Sequence, residues 1–427
     1  MATCLILLVA GLGGVVQETL AAQAAPNKKL ETRVRRLIRQ LDDDQPAIRQ
    51  AAEEQLQALG PEIIPLLPTA TDRLSAETRR RLRRVKQTLE KEFAKQIVEP
   101  TCVHLQGRMT AVAALKAISK QTGNRLLGYE QFVADKSVEL AFGKTQFWPA
   151  LDAILDQVHG TVNLYGGEGD ALTLQPASPA DALRTAHPCY AGPFRLEITE
   201  VSLVRNLRTP NTSGMQLRLE VLWEPRLCPI TVAQHLADIS ATDNQGRNVA
   251  VRVPDATVSA VTEPSVGGVE LVLPMELPQR SAQSLASVQG QLAVLIPGRA
   301  ATFEFKNLAA AANVSQRKAG VVVTFEKLIK NVDVSEVRVR IRFDDASQSL
   351  QSHLGWIYRN EAYLRGPDGK QLKQAGVQLI RKEANEVTLA YLFALDKPPQ
   401  GYTFVYRTPI LIVETKIPYK LKQIPLP

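Results

Sequence analysis

The spacing of the apolar residues changes twice along this chain, and this pattern limits the folds that the chain can adopt. From residue 28 to residue 99 the apolar positions recur every three or four residues, as in amphipathic helices. From 100 to 177 helical and alternating stretches follow one another, and beyond residue 190 the period is two, as in β-strands. A chain of 427 residues has room for about two to four domains. We therefore predict a multidomain α+β protein.

The N-terminus differs from the rest of the chain. Residues 4–16 form an uncharged apolar run, and the small residues after it include Ala22-Gln23-Ala24, an A-x-A cleavage pattern. Because the run is too short to span a bilayer, we predict a signal peptide over residues 1–25 and a location in the periplasm or cell envelope. No Lys or Arg precedes the run, which leaves two alternatives open: a retained anchor, or an apolar helix in a cytosolic core.

Residues 28–99 are predicted to be helical, with a short third helix over 63–70 and a long charged helix capped by Ser75. Two stretches, residues 41–67 and 76–82, resemble HEAT repeats. That resemblance implies a short helical repeat segment, which needs a neighbouring domain or a partner because solenoids are stable only with about three repeats.

The long helix contains the densest basic run of the chain. Its candidate contacts to an anion are Arg79, Arg80, Arg83 and Arg84. Successive helical residues are rotated by about 100°, so we expect these side chains to spread around the helix rather than form one stripe. The alternative is a solvated helix with partial ion pairing.

Residues 100–177 follow the order β-α-β-β-α-β-β, with Thr110 predicted to cap the first helix. Three stretches, residues 103–115, 121–123 and 147–155, resemble the short N-terminal domain shared by secretins and TonB-dependent receptors (STN-like). That resemblance implies a small envelope module that contacts other proteins and carries no chemistry. The secretin ring or receptor transport domain that usually follows has no counterpart here, so the resemblance implies no transport function.

The last part of the chain is rich in predicted strands, which fall into two related sets. Residues 243–246 correspond to 367–369, and residues 301–308 correspond to 416–423, at offsets of roughly 115 to 125 residues. This offset is the size of one sandwich domain. We predict two tandem antiparallel β sandwiches related by duplication and joined by a linker at 309–318; their boundaries are 186–308 and 319–427.

A second candidate for anion contact lies in the predicted strand around residue 340. Arg338, Arg340 and Arg342 alternate with apolar residues and therefore share one strand face. The alternative is a solvated face that is balanced by cross-strand acids such as Glu386.

Three cysteines remain after removal of the predicted leader. Cys189 and Cys228 fall in the same predicted β domain, so we predict one disulfide between them, as an oxidising compartment allows. Cys102 is then a buried thiol. The cysteines do not have the paired spacing of a structural zinc site.

The sequence contains no motif that points to catalysis. Its five histidines lack the H-E-x-x-H spacing, and neither a G-x-S-x-G elbow nor a P-loop occurs in the mature chain. We expect Asp42, Asp43 and Asp44 to cap a helix rather than to bind a metal, and His104 to be a half-buried sheet residue. No cofactor is expected.

These observations predict a non-catalytic, exported envelope protein that acts as a protein-interaction or scaffolding module. Its partners are unidentified envelope proteins, with no specific nucleic acid, and we expect the exposed edges of residues 100–177 to carry the contact. The net charge of +8 supports the alternative, a binding module for an anionic cell-wall polymer or a lipid surface. A hydrolase is the third possibility.

Overall fold

The structure is a computed structural model. It describes residues 28–68, 74–166, 171–178, 188–262, 266–318, 320–331, 334–343, 354–383, 385–395 and 399–427. The predicted signal peptide therefore lies outside the described residues.

The helical part consists of α1 Lys28–Gln40, α2 Pro46–Ala58, a 3-10 helix Pro61–Leu66 and α3 Ala76–Ile97. The apolar faces predicted from the sequence are buried, and Val34, Leu37 and Leu56 are fully shielded from solvent. The hydroxyl of Ser75 caps α3 by accepting a hydrogen bond from the backbone N–H of Thr78. The expected third α-helix is instead the 3-10 helix, because Pro65 within it has no N–H to donate.

The next part contains β1 Cys102–Thr110, α4 Ala111–Thr122, β2 Arg125–Leu127, β3 Ser137–Gln146, α5 Phe147–Val158, β4 Gly160–Asn163 and β5 Ala171–Pro176. The strands form a two-stranded sheet, β1-β3, and a three-stranded sheet, β2-β5-β4. Thr110 caps α4, and Gly123 ends it in the left-handed conformation (φ 72°) that glycine adopts without strain. The apolar faces of both helices form one core with the two sheets.

The remaining strands are β6 Cys189–Ala191, β7 Phe194–Val204, β8 Gly214–Trp223, β9 Thr231–His235, β10 Ser240–Asp243, β11 Thr257–Val261, β12 Gly268–Met275, β13 Ser284–Phe305, β14 Val314–Lys318, β15 Val321–Lys330, β16 Ser335–Phe343, β17 Glu361–Arg365, β18 Gln371–Lys373, β19 Gly376–Lys382, β20 Glu386–Phe393 and β21 Thr403–Pro425. Four short 3-10 helices lie between them: Pro210–Thr212, Pro225–Leu227, Leu236–Asp238 and Leu354–Arg359. These strands pair antiparallel throughout, and the described chain is a mixed, strand-rich α+β fold.

Two of these sheets repeat the same strand order. The order β12-β8-β7-β6 in one sheet matches β20-β16-β15-β14 in the other, which also has β19 at its edge. A bulge follows the pair Ile198↔Leu219 in the first sheet and the pair Phe325↔Val339 in the second, at the same place in the order. We call the part built on the first sheet the first unit, and the part built on the second sheet the second unit.

A third, seven-stranded sheet has the order β11-β9-β13-β21-β17-β18, with β10 also paired to β13. Strands β13 and β21 pair from Ser284↔Pro425 to Phe305↔Phe404. Tyr419, near the end of β21, is buried in the core of the first unit, whereas Phe404, at its start, is buried in the core of the second. The pair therefore crosses the boundary predicted between residues 308 and 319.

Both α-containing parts pack on the first unit. Apolar residues of α3 belong to the same core as the first unit, and the Phe93 ring lies directly against Gly298 of β13. On the outer face of β8, Leu222 is buried in the core of residues 100–177. The first unit is therefore covered by the helical part on one side and by residues 100–177 on another.

Candidate functional site

A buried carboxylate joins three parts of the chain. The side chain of Glu224, fully buried just after β8, accepts hydrogen bonds from the backbone and the hydroxyl of Thr101, at 2.9 and 2.8 Å. It also accepts from the amide of Asn124 (3.1 Å) and from Nε of Arg226 (2.7 Å). Because a buried carboxylate is stable only when its oxygens are hydrogen-bonded, this junction holds the chain after α3 and the end of α4 against the first unit.

Three arginines of the basic run form ion pairs, and two of them, Arg81 and Arg84, link α3 to α2. Arg81 is almost buried and reaches Glu53 and Glu77, each at 2.7 Å. Arg80 pairs with Glu77 at 2.9 Å, and Arg84 pairs with Glu53 at 2.9 Å. The predicted anion contacts Arg80 and Arg84 are therefore in ion pairs, as the alternative interpretation expects.

Arg79 and Arg83 are in a different situation. Both are exposed, and neither has an acidic partner among the described residues. Their spacing of four places them one turn apart on one face of α3, and Lys86, which lies 3.9 Å from Glu90, continues that face. The basic run thus divides into an ion-paired side and an open side, which the expectation of an even spread did not anticipate.

The open side of α3 faces a groove of about 760 Å³. The opposite wall is the middle of β21, from Pro409 to Glu414, and Val321 and Phe343 close one end. Its apolar lining also includes Ile64, Leu67, Pro68, Leu74, Leu82 and Ala94. We call this space the α3–β21 groove. An apolar floor beside a cationic wall can hold an elongated molecule with both apolar and acidic groups.

The arginines on β16 are placed as predicted, each near an acidic residue. Val337, Val339 and Ile341 are buried, so Arg338, Arg340 and Arg342 share the opposite face. Arg338 pairs with Glu336 at 2.5 Å and Arg340 with Glu326 at 3.5 Å. Arg342 lies opposite Glu386 in the sheet. None of the three lines the α3–β21 groove.

The structure corrects the predicted disulfide, because neither Cys189 nor Cys228 is disulfide-bonded. Cys189 lies opposite Leu196 on β7, which lies opposite Val221 on β8. With neighbouring strands about 4.8 Å apart, Cys189 is two strands away from β8, and Cys228 follows only after that strand has ended. A disulfide needs Cα atoms within about 7 Å of each other. Cys102, expected to be buried, is half-buried and also free.

A row of three glutamates crosses the first unit and was missed from the sequence. Glu197, Glu220 and Glu270 lie directly opposite one another on β7, β8 and β12. Buried Arg195 reaches Asp152 at 2.9 Å, Glu197 at 2.7 Å and Glu220 at 3.5 Å. Burial raises the pKa of Glu220, and the neighbouring carboxylates raise it further. The alternation of apolar and polar residues places each glutamate on the face of its strand away from the core. It does not predict that the three strands are neighbours in a register that aligns the glutamates.

The other acidic and histidine candidates are structural. Asp42 accepts hydrogen bonds from the hydroxyls of Ser75 (2.5 Å) and Thr78 (3.0 Å), which lower its pKa, so it supports the start of α3 rather than of α2. His104 is exposed rather than half-buried. Within the described ranges, no three His, Cys, Asp or Glu side chains are grouped so that they could hold a metal ion.

The comparisons with known proteins add no relative. No protein family matches the chain, and neither a curated protein nor a solved structure is significantly similar to it. Among the helices in the described part of the chain, none combines the length and the apolar character of a membrane span.

Proposed function

We propose that this chain is an exported, non-catalytic scaffold of the bacterial cell envelope that binds another protein in the α3–β21 groove. In this proposal it consists of a HEAT-like segment, an STN-like domain and two duplicated β sandwiches. The repeated strand order and the matching bulges support the duplication. The element order of residues 100–177 supports the resemblance to the module of secretins and TonB-dependent receptors.

The groove is the observation that carries this proposal. It combines an apolar floor with two exposed arginines that have no acidic partner in the described chain, and such a combination is typical of a binding site. The junctions at Glu224 and Arg195 hold the surrounding parts in place. A partner would therefore bind a surface that is already ordered, which favours affinity.

An anionic cell-wall polymer or a lipid surface is the second candidate, and the same exposed arginines favour it. The two candidates differ in their response to salt. Binding through charge alone weakens steeply as salt is added, because exposed charges are screened beyond about 10 Å at 0.1 M. Binding that also buries the apolar floor persists at higher salt.

The test compares the wild-type protein with R79E/R83E. Each is immobilised and exposed to an envelope extract and, separately, to vesicles containing phosphatidylglycerol, from low to high salt. We expect the wild type to retain a defined set of proteins at high salt and R79E/R83E to lose it. The double variant R33E/R36E, which changes two exposed arginines of α1 by the same charge, is the matched control and should behave as the wild type.

Three outcomes decide between the candidates. Retention of vesicles with no retained protein would favour the lipid or polymer function instead. Equal loss of the retained proteins in both double variants would show that only net charge matters. Retention of the proteins by all three would contradict the groove and favour the exposed edges of residues 100–177, where the sequence predicts the contact.

A further inference from the structure

The two units can be superposed strand by strand along the seven-stranded sheet. In the first unit, Ala241 of β10 lies opposite Val288 of β13. In the second unit, Ala362 of β17 lies opposite Tyr406 of β21, and all four of these residues are buried. In each unit, the turn after this strand leads to a short segment that pairs back with it: Asn248 pairs with Thr242 of β10, and β18 pairs with β17. Residue 288 of β13 therefore corresponds to residue 406 of β21.

Among the described residues, one strand of the first unit has no counterpart in the second unit. In the first unit, β9 pairs with residues 292–295 of β13, next to β10. The corresponding residues of β21 are 410–413. Among the described residues, these four pair only with β13, because β17 covers only residues 403–407. The 3-10 helix Leu354–Arg359, which buries Trp356 and Ile357, precedes β17 as the 3-10 helix Leu236–Asp238 precedes β10. By the same correspondence, the residues that match β9 are 349–353, which lie outside the described residues.

In the described part of the chain, residues 410–413 of β21 are unpaired on the side away from β13, and the α3–β21 groove lies along this edge. Six consecutive residues of β21, 409–414, line it. Side chains alternate between the two faces of a strand, so a groove on one face would be lined by every second residue. Because consecutive residues of β21 line this groove, it runs along the edge of the strand. An edge strand exposes backbone N–H and C=O groups that can pair with another strand. Pro409, which has no N–H, marks one end of the pairing stretch.

We propose that an extended segment of a partner protein adds to the seven-stranded sheet at residues 410–413, in the place that β9 takes in the first unit. The proposal rests on the proposed function and names how its partner binds. Alternate side chains of the added strand would be apolar and would pack beside Ile410 and Ile412, which already contact the core of the second unit. Acidic residues at its ends would meet the α3 wall.

The charges of the groove favour such a segment over a neutral one. Among the described residues, four cations line it, Arg79, Arg83, Lys86 and Lys91, against the two carboxylates of Glu90 and Glu414. Arg79 and Arg83 are exposed and form no ion pair with a described residue, so an incoming carboxylate can reach both guanidinium groups. An acyl chain could occupy the apolar floor, but it would leave the row of backbone groups on β21 without partners.

The experiment uses a fluorescent peptide with the sequence of residues 230–235, which contain β9, extended by two glutamates at each end. Binding to the full-length protein is measured by anisotropy. We expect binding to the wild type and to R33E/R36E, and at least about a tenfold loss in R79E/R83E, equivalent to about 1.4 kcal/mol. Amides of residues 410–413 should exchange more slowly with solvent when the peptide is bound.

Two further peptides separate strand addition from other modes of binding. Each carries N-methyl groups on alternate backbone amides, one set on odd positions and the other on even positions. A strand has only every second N–H directed at its neighbour, so one peptide should lose binding and the other should retain it. Equal binding of both peptides, or equal loss, would overturn strand addition.

The outcomes also distinguish this inference from the proposed function. If no peptide binds while envelope proteins are still retained through Arg79 and Arg83, the function stands and strand addition fails. If peptide binding appears only after residues 344–353 are replaced by a glycine–serine segment, the edge belongs to the chain itself and the inference is wrong. If peptides bind as expected but no envelope protein does, the edge is open and the proposed function fails.

Discussion

Single buried charges position the parts of this chain relative to one another. Glu224 accepts four hydrogen bonds from three other residues, of which Thr101 and Asn124 lie 123 and 100 residues earlier in the sequence. Burial removes water as an alternative partner for the carboxylate, so each of these bonds is needed. The same reasoning applies to Arg195, which is buried between Asp152 of α5 and two glutamates of the first unit.

Replacing Glu224 by glutamine should therefore be costly. The NH₂ group of the glutamine would face Thr101 or Asn124, which are hydrogen-bond donors to the carboxylate, so donors would face donors. Arg226 would also lose its charged partner. We expect the free energy of unfolding to fall by about 3 kcal/mol. Urea denaturation measures the change. The matched control, Glu276→Gln, alters a half-exposed side chain and should change the stability by less than about 0.5 kcal/mol; an equally small effect of Glu224→Gln would contradict the role of the junction.

Glu220 should make the stability depend on pH in the direction opposite to most acids. Burial and the neighbouring carboxylates raise its pKa in the folded state, so the folded chain holds this proton more tightly than the unfolded chain does. Its contribution is favourable at low pH and is lost as the pH rises through the folded pKa. Glu220→Gln should stabilise the protein at neutral pH, and the gain should vanish at acidic pH.

Denaturation curves of the wild type and Glu220→Gln over a range of pH values check this prediction. Glu276→Gln again serves as the control and should show no pH-dependent gain. A variant that is less stable than the wild type at neutral pH would show that the ion pair with Arg195 outweighs the cost of burial.

At the scale of elements, α3 has three faces with separate tasks. One face is apolar and packs on the first unit, one is held by ion pairs to Glu53 of α2, and one forms the wall of the groove. The close approach of the helix depends on Gly298, where an added Cβ would overlap the Phe93 ring. The missing side chain on β13 is therefore what lets this ring rest on the sheet.

Gly298→Ala should loosen that contact. We expect it to lower the free energy of unfolding by about 1–3 kcal/mol, the usual cost of overpacking. The same substitution in a Phe93→Ala background should cost much less, because the two residues are coupled. Gly143→Ala, where nothing lies within 4 Å of the added carbon, is the control. Equal costs in both backgrounds would show that the ring does not cause the effect.

At the scale of the whole molecule, β13 and β21 make the two units interdependent. The second half of β21 pairs with β13 from residue 284 to residue 295 and places Ile417, Tyr419 and Leu421 in the core of the first unit. The hydroxyl of Tyr419 also donates to the buried Gln234 of β9 at 2.9 Å. The last residues of the chain therefore complete a unit whose other strands precede residue 308.

Removing residues 414–427 should consequently unfold the first unit and not the second. Burial of each large apolar side chain contributes about 1.5–3 kcal/mol, so losing several exceeds the usual margin of stability. Hydrogen exchange followed by mass spectrometry should show loss of protection in β7, β8 and β12, with β15, β16 and β20 still protected. Removal of residues 426–427 alone is the control. Protection that is lost first in the second unit would contradict this division.

The sequence by itself determined the features that depend on near neighbours. The helical faces, the caps at Ser75 and Thr110, and the alternation around Arg340 follow from interactions within a few residues, so periodicity predicts them. The same analysis placed Arg79 and Arg83 among the candidate contacts. It could not separate them from Arg80 and Arg84, because the division depends partly on Glu53, which tertiary packing brings to α3 from another helix.

Only the tertiary structure decided how distant segments align. The strand register separates Cys189 from Cys228, aligns the glutamate row and pairs β13 with β21. It also leaves residues 410–413 with one unpaired edge in the described chain. Each of these features depends on residues that are far apart in the sequence. Many such alignments satisfy the same alternating pattern, since a shift by two residues keeps every side chain on its face. The packing of the cores selects one of them, and that selection places a groove beside two arginines without acidic partners in the described chain.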